Sequence, residues 1–177
     1  MVLTHEPGGT VLGNEIRKSL KKKQGSPVSA QAELLLFVAS RAQLVAKVIR
    51  PALAEGKIVI CDRFAHSTLV YQGYGRGLNL TTVEMVNNVA TQNLKPDLTI
   101  LLDISPEQGL ARKRGLKDRF ELEGSSFHQR VREGYLKEAT AEPDRWLVID
   151  ATLPKGKTAK IIWEKVNQLL AKGIGKT

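Results

Sequence analysis

Three short apolar runs constrain the fold of this chain more than any other feature. They are KIVIC at 57–61, LTILLD at 98–103 and WLVID at 146–150. A continuous apolar run of this length is expected of a strand that is buried on both faces. Helical patterns separate the runs, and this alternation indicates an α/β domain built around a parallel sheet.

The rest of the chain divides into one further strand and a series of helices. VLT at 2–4 predicts a short strand before the turn residues EPGG. Ser29 is a predicted N-cap for a helical stripe that reaches Leu53, with Pro51 bending it or starting a new segment. Because there is no internal repeat and no long linker, residues 1–177 are predicted to form one domain. Further helices are predicted at 10–20, 81–92, 106–113, 124–141 and 158–170.

The composition limits the partners and the compartment. The formal net charge of +9 suits nucleic acid, an anionic membrane or small phosphorylated ligands. The charge is spread over three basic runs, and a solvated helix face or loop explains the first and the third. The single cysteine, Cys61, leaves no disulfide framework and fits a reducing cytosol. No apolar stretch approaches the roughly 18 residues of a membrane span, and no secretion signal is visible; we expect a cytoplasmic protein without a membrane partner. The basic runs are KSLKKK at 18–23, ARKRGLKDR at 111–119 and KGKTAK at 155–160.

The strand predicted at 57–61 leads into the most chemically suggestive stretch. Ligands of parallel sheets bind beyond the carboxyl ends of the strands. Asp62 at this end can hold a hydrated magnesium ion, and Arg63 can pair with a phosphate through two hydrogen bonds. The alternative is structural, with Asp62 capping the next helix and pairing with Arg63. Hydroxyl groups, an amide, and glycines that let a loop close around a ligand follow at Ser67, Thr68, Tyr71, Gln72, Gly73, Gly75 and Gly77.

Longer segments in a fixed order identify a family. They are THEPGGTVLGNEIR (4–17), AELLLFVASRAQLV (32–45), PALAEGKIVICDRFAHSTLVYQGYGRGL (51–78), LKPDLTILLDISPEQGLAR (94–112), DRFE (118–121), FHQRVREGYL (127–136) and VIDAT (148–152). Together they cover nearly all of the chain and resemble bacterial thymidylate kinases, which transfer a phosphoryl group from ATP to dTMP. The resemblance implies a P-loop nucleoside-monophosphate-kinase-like fold, with helices sandwiching a parallel sheet. It also implies ATP and Mg²⁺, a homodimer and no nucleic-acid partner.

The resemblance also implies roles for particular residues of the dTMP site. Phe37 is similar to the ring that stacks on thymine, although an apolar helix position alone favours a core residue. Arg41, one helical turn on, is similar to the donor to a base oxygen. Arg17 and Arg63 match arginines around the dTMP phosphate and base. The turn lining the pocket and the loop over base and sugar match Glu6, Pro7, Ser67, Thr68, Tyr71 and Gln72.

The ATP side of the site is implied less completely. A lid segment at about 110–122 would supply arginines that neutralise charge on the transferring phosphoryl group. Its candidates are Arg112, Arg114 and Arg119, and Asp62 would be the metal ligand. Asp150 and Ala151, at the end of the last predicted strand, would lie on the adenine side.

One expected motif is not found in the sequence. The family has a first strand, a phosphate-binding loop G-x-x-x-x-G-K-[ST] and a helix ahead of the strand with which this chain begins. ATLPKGKT at 151–158 fits only a loose form of this pattern, and Pro154 removes an amide from it. We therefore expect weak or no kinase activity from the chain as given, and unpaired inner edges and an uncovered apolar face in its sheet. The alternatives are a non-catalytic relative that binds nucleoside monophosphates and, as a third reading, a nucleic-acid-binding protein.

Overall fold

The computed structural model of this chain describes residues 1–21, 28–112 and 118–173. Four parallel strands are formed: β1 (Val2–His5), β2 (Val59–Asp62), β3 (Thr99–Asp103) and β4 (Trp146–Asp150). β1 pairs with β2, so that Val2 lies opposite Val59, and β3 pairs with β4 from Thr99 opposite Trp146. The predicted α/β architecture with parallel strands is confirmed.

Eight α-helices are formed in the described ranges, and the last two of them pack on β4. The predicted helices are all present, and their ends differ from the predicted ones by three residues at most; the end predicted at 113 lies outside the described residues. Pro51 stands in the first turn of α3, as expected for a residue that starts a new segment. The bounds are α1 Val11–Lys21, α2 Ala30–Leu44, α3 Arg50–Ala54, α4 Ala65–Thr68, α5 Leu80–Thr91, α6 Pro106–Ala111, α7 Ser125–Ala141 and α8 Lys155–Ala171.

Helix α2 is the central helix of the first half of the chain. Its N-terminus is capped as predicted, because the Ser29 side chain accepts a hydrogen bond from the backbone N–H of Ala32 at 3.2 Å. A wider π-helical turn at Val45–Ile49 joins α2 to α3 without a break. α2 packs on both α1 and α5, and this places its buried polar face against the segment that follows β2.

Residues 65–75 are helical, which corrects the prediction of a glycine-rich loop. α4 continues directly into a π-helical segment at Leu69–Gly75. The glycines here serve close packing rather than loop flexibility. A Cβ at Gly75 would lie 2.7 Å from the Phe127 ring, and one at Gly73 would lie 2.6 Å from Leu80. The segment is thus packed tightly between α5 and α7.

The two strand pairs are separate in the part of the chain that the structure describes, and no described strand lies between β2 and β3. Ile60, Leu102 and Val148 are exposed on these strands. The prediction that the apolar runs are buried on both faces is therefore wrong for alternate positions, because no described element covers those side chains. Trp146, by contrast, is buried and packs edge-on against the His66 ring at a centroid distance of 4.7 Å.

Candidate active site

A cavity of about 150 Å³ lies beyond the carboxyl ends of β1 and β2. Its position agrees with the rule that parallel sheets bind ligands at this end. Nine of the ten residues predicted for the dTMP site line it together with the metal candidate Asp62, although they come from four separate parts of the sequence. They are Glu6, Pro7, Arg17, Phe37, Asp62, Arg63, Ser67, Thr68, Tyr71 and Gln72.

The turn after β1 forms one wall. The peptide bond between Glu6 and Pro7 is cis, and the carbonyl of Pro7 accepts a hydrogen bond from the Arg17 guanidinium at 2.8 Å. The N–H of Gly8 donates to the Ser40 hydroxyl at 3.1 Å. The turn is therefore fixed to α1 and α2, and Arg17 both lines the cavity and holds the turn in place.

Arg41 is the predicted dTMP-site residue that does not line the cavity. Its side chain is only 1% exposed, and it forms an ion pair with Glu6. The guanidinium also donates to Thr68 Oγ1 at 2.9 Å, Asn87 Oδ1 at 2.6 Å and the Phe64 carbonyl at 3.2 Å. The sequence suggested a donor to the base; in the structure Arg41 lies behind the wall and holds Glu6 and Thr68. The physical reason is that its donors are taken up by protein acceptors.

Arg63 lies at the end of β2 in an uncommon backbone conformation. Its φ angle is 68°, a left-handed value that non-glycine residues adopt rarely and that is enriched at functional sites. The guanidinium carbon lies 5.2 Å from the centre of the Tyr71 ring. Burial alone lowers the pKa of Arg63, but Tyr71 and Tyr135 outweigh burial, so the pKa is raised and the residue stays charged.

Aromatic rings form the opposite wall. The Phe37 and Phe120 ring centroids are 5.7 Å apart, and Tyr71 meets Phe120 edge-on at 6.0 Å. Phe37 is half-buried and lines the cavity, so it is not simply the core residue that an apolar helix position favours. Tyr135 supports this wall from α7, because its hydroxyl shares a 2.8 Å hydrogen bond with Ser67. Burial raises the pKa of Tyr135.

Several lining residues were not singled out from the sequence. Asp118 bonds Lys21 at 3.1 Å and accepts the backbone N–H groups of Phe120 and Glu121. Burial works to raise the pKa of Asp118, but these hydrogen bonds outweigh it and the pKa is lowered. His128 Nε2 is buried and has no hydrogen-bond partner among the described residues. Asp118, Phe120, Glu121 and His128 could have been singled out, because DRFE and FHQR lie within the segments that resemble the family. The additional lining residues are Leu20, Lys21, Asp118, Phe120, Glu121 and His128.

The residues predicted for the ATP side divide into two groups. Arg112 donates to the Ala151 carbonyl at 2.8 Å, next to Asp150 at the end of β4. The Asp150 carboxylate accepts the backbone N–H of Thr152 at 2.7 Å, and this bond lowers its pKa. Arg119 lies elsewhere, 2.8 Å from the Glu33 carboxylate. Arg114 lies outside the described residues.

The metal candidate, Asp62, is exposed at the end of β2 and lines the cavity. One carboxylate fits Mg²⁺, which usually takes one or two carboxylates and completes its shell with water and phosphate. Over residues 1–21, 28–112 and 118–173, no group of three or more His, Cys, Asp or Glu is arranged to hold a metal. Burial raises the pKa of Cys61, beside Asp62, to about 12, so its thiol stays protonated near neutral pH.

Comparison with known proteins identifies relatives along nearly the whole chain. The family model for thymidylate kinase matches residues 1–162. A thymidylate kinase of Dehalococcoides mccartyi is 53% identical over 170 residues, which are 96% of this chain and 82% of that protein. One from a Synechococcus species is 52% identical over 169 residues, or 96% of this chain and 81% of that protein. The crystal structure of the Ehrlichia chaffeensis thymidylate kinase superposes with a TM-score of 0.70 at 36% identity, covering 87% of this chain and 71% of that one.

Proposed function

The chain belongs to the thymidylate kinase family, and we propose that it binds dTMP in the cavity beyond β1 and β2 as the acceptor of a phosphoryl group from ATP, giving dTDP. The observation that carries the proposal is the convergence of ten residues, predicted from separate segments, on one cavity. Aromatic rings, two arginines and an amide in so small a space suit a planar base joined to a phosphate.

In this proposal different walls of the cavity bind the base and the phosphate of dTMP. Phe37 and Phe120 provide the apolar surface against which the pyrimidine stacks. Gln72 and Thr68 offer polar atoms to the edge of the base. Arg17 and Arg63 offer guanidinium groups, which pair with phosphate oxygens through two hydrogen bonds.

The ATP side of the proposal rests on fewer residues. Asp62 would hold Mg²⁺, which when bound neutralises charge on the phosphates. Arg112, Asp150 and Ala151 come together at the end of β4 and are proposed to contact ATP. The lid at about 110–122 is proposed to bring its arginines to the transferring group, which for Arg119 requires release from Glu33.

The proposed location is the cytoplasm. Of the helices in the described ranges, none has both the length and the apolar character of a bilayer span.

We further propose that the chain forms a homodimer through α2 and α5. Leu35 on α2 and Met85 and Val89 on α5 are all exposed, and the two helices pack side by side. Adjacent exposed apolar side chains are typical of a protein interface. The pairing of two copies would bury them.

The experiment measures dTMP binding by calorimetry and ATP-dependent dTDP formation with the same preparation. Phe37→Ala removes the stacking ring and is expected to weaken dTMP binding about 10- to 100-fold, since stacking contributes about 1–3 kcal/mol per base. Gln31→Ala, at an exposed position in the first turn of the same helix, is the matched control.

The measurement of dTDP formation distinguishes a kinase from a non-catalytic relative that only binds nucleoside monophosphates. We expect turnover of the 177-residue chain below about 1 per second, the lower end for working kinases, because its sequence contains no G-x-x-x-x-G-K-[ST] motif. Faster dTDP formation would contradict that expectation and establish catalysis. dTMP binding without any turnover would favour a nucleoside-monophosphate-binding role, and equal binding by Phe37→Ala and the parent chain would overturn the proposed site.

A further inference from the structure

A buried carboxylate outside the cavity contacts three segments that surround it. Glu33 lies in the first turn of α2 and is 1% exposed. It accepts hydrogen bonds from Gln72 Nε2 at 2.8 Å and from Arg76 at 3.1 Å, and its other oxygen lies 2.8 Å from Arg119. Glu33 does not itself line the cavity, whereas Gln72 does. Gln72 is therefore the contact that connects Glu33 to the wall of the cavity.

The contact with Glu33 fixes which end of the Gln72 amide faces the cavity. An amide has an NH₂ group that donates and an oxygen that accepts, whereas a carboxylate only accepts. Arg76 and Arg119 pair with the Glu33 carboxylate at 3.1 Å and 2.8 Å, and Gln72 Nε2 donates to the same carboxylate at 2.8 Å. The Gln72 NH₂ group must therefore point to Glu33, and Oε1 is the end left for the ligand. Because Gln72 is almost completely buried, a rotated amide would face its oxygen to the carboxylate at a high cost.

An acceptor in this place selects among pyrimidines. Thymine and uracil carry a hydrogen on ring nitrogen N3, which can donate to Gln72 Oε1. Cytosine has a lone pair at N3, so two acceptors would face each other without a proton between them. Sites built around a buried hydrogen bond reject a ligand that leaves the bond unmade.

We propose that Glu33 is a positioning residue for base selectivity, holding the Gln72 amide so that the cavity favours a pyrimidine with an N3–H group. The proposal rests on the proposed function, since it assumes that a pyrimidine nucleotide occupies the cavity. It extends that function by assigning selectivity to a residue that does not touch the ligand.

The test compares the dissociation constants of dTMP, dUMP and dCMP for the parent chain and Glu33→Gln. The variant's neutral amide can donate or accept, so Gln72 is free to turn. We expect the preference for dTMP over dCMP to fall by about tenfold or more, the change expected from one buried hydrogen bond. The preference for dTMP over dUMP should stay unchanged, because both carry N3–H and differ only in the methyl group.

Two further variants separate orientation from general disturbance. Glu123→Gln removes a carboxylate that also pairs with Arg76, at 2.6 Å, but does not contact Gln72, and it should retain the dCMP discrimination. Glu33→Asp keeps the charge and shortens the side chain, and should give an intermediate loss. If circular dichroism shows that Glu33→Gln does not fold, the discrimination against dCMP is measured with Glu33→Asp instead.

The outcomes are distinct. Unchanged dCMP discrimination in folded Glu33→Gln, with dTMP still bound, would overturn the role of Glu33 and leave the proposed function standing. An equal change in the dUMP and dCMP preferences would also overturn it, since that indicates a distorted pocket. Failure of the parent chain to bind any of the three nucleotides would overturn the proposed function and this inference together.

Discussion

Arg41 and Glu6 form a buried ion pair in which each charge depends on the other. Both side chains are nearly inaccessible to solvent, and the remaining partners of Arg41 are the neutral oxygens of Thr68, Asn87 and Phe64. A buried charge that loses its partner is strongly destabilising, whereas loss of a pair on the surface has little effect. The pair therefore links the turn after β1 to α2, α4 and α5.

Arg41→Ala is expected to lower the free energy of unfolding by about 3–5 kcal/mol, because the Glu6 charge is left buried without a partner. The double variant Glu6→Gln/Arg41→Met removes both charges and should be less destabilised than Arg41→Ala alone. Urea titrations followed by circular dichroism measure both. Lys18→Ala, which breaks the exposed pair with Glu15, is the control. If Arg41→Ala lowered the free energy of unfolding as little as the control does, the buried pair would not be needed for stability.

At the scale of elements, Asp103 and Arg132 connect β3 to α7. Two hydrogen bonds of 2.8 Å join the carboxylate at the end of β3 to the guanidinium on α7. The bonds from Arg132 hold the pKa of Asp103 below its ordinary value of 3.8. A carboxylate with a lowered pKa stabilises the fold above the pKa of the unfolded chain, and this contribution is lost as the pH falls through the folded value.

Asp103→Asn is therefore expected to reduce the free energy of unfolding by about 0.5–1 kcal/mol near neutral pH, as for a partly exposed ion pair. The difference from the parent chain should shrink as the pH falls below about 4, the ordinary pKa of the carboxyl in the unfolded chain, and should vanish as the pH falls through the lower pKa of the folded state. Urea titrations from pH 3 to 7 measure it, with Asp97→Asn at an exposed position before β3 as the control. A difference that stays constant over this range would contradict the linkage.

The strands and helices could be predicted because they depend on local patterns. The apolar runs became β2, β3 and β4, and Ser29 capped α2, since strand and helix periods and a capping hydroxyl act over a few residues. The segment at 65–75 was missed because Gly75 packs against Phe127, which is distant in sequence, and such packing leaves no local pattern. The burial of Arg41 was missed because Glu6 lies 35 positions away. Family resemblance located the cavity residues, but only coordinates show which of them touch it.

For the whole molecule, the two strand pairs and the exposed faces of α2 and α5 determine what the chain can contact. Apolar strand residues such as Ile60 and Leu102 are exposed, and Val89 on α5 is 80% exposed. Proteins rarely leave adjacent apolar residues in water unless another surface covers them. The exposed face of α2 and α5 is the surface through which we have proposed that two copies of the chain pair.

The double variant Met85→Asp/Val89→Asp should weaken dimerisation by about 30-fold or more, the effect of losing about 2 kcal/mol at the centre of an interface. Sedimentation velocity over a range of concentrations measures the dissociation constant. Lys160→Asp, which introduces an acid on exposed α8, controls for the added charge. A parent chain that remains monomeric at high concentration, or a variant with an unchanged constant, would contradict the proposed dimer face.

The contact between Trp146 and His66 gives the β3–β4 half an optical signal of its own. Trp146 is 6% exposed, whereas Trp163, the other tryptophan of the chain, is 63% exposed on α8. Burial holds the pKa of His66 below its ordinary value of 6.5, so at neutral pH the imidazole beside the indole is uncharged and quenches it little. Iodide should therefore quench Trp163 first and reach Trp146 only when the start of β4 opens. Fluorescence can then report, without any label, whether this half of the chain unfolds together with the half that forms the cavity.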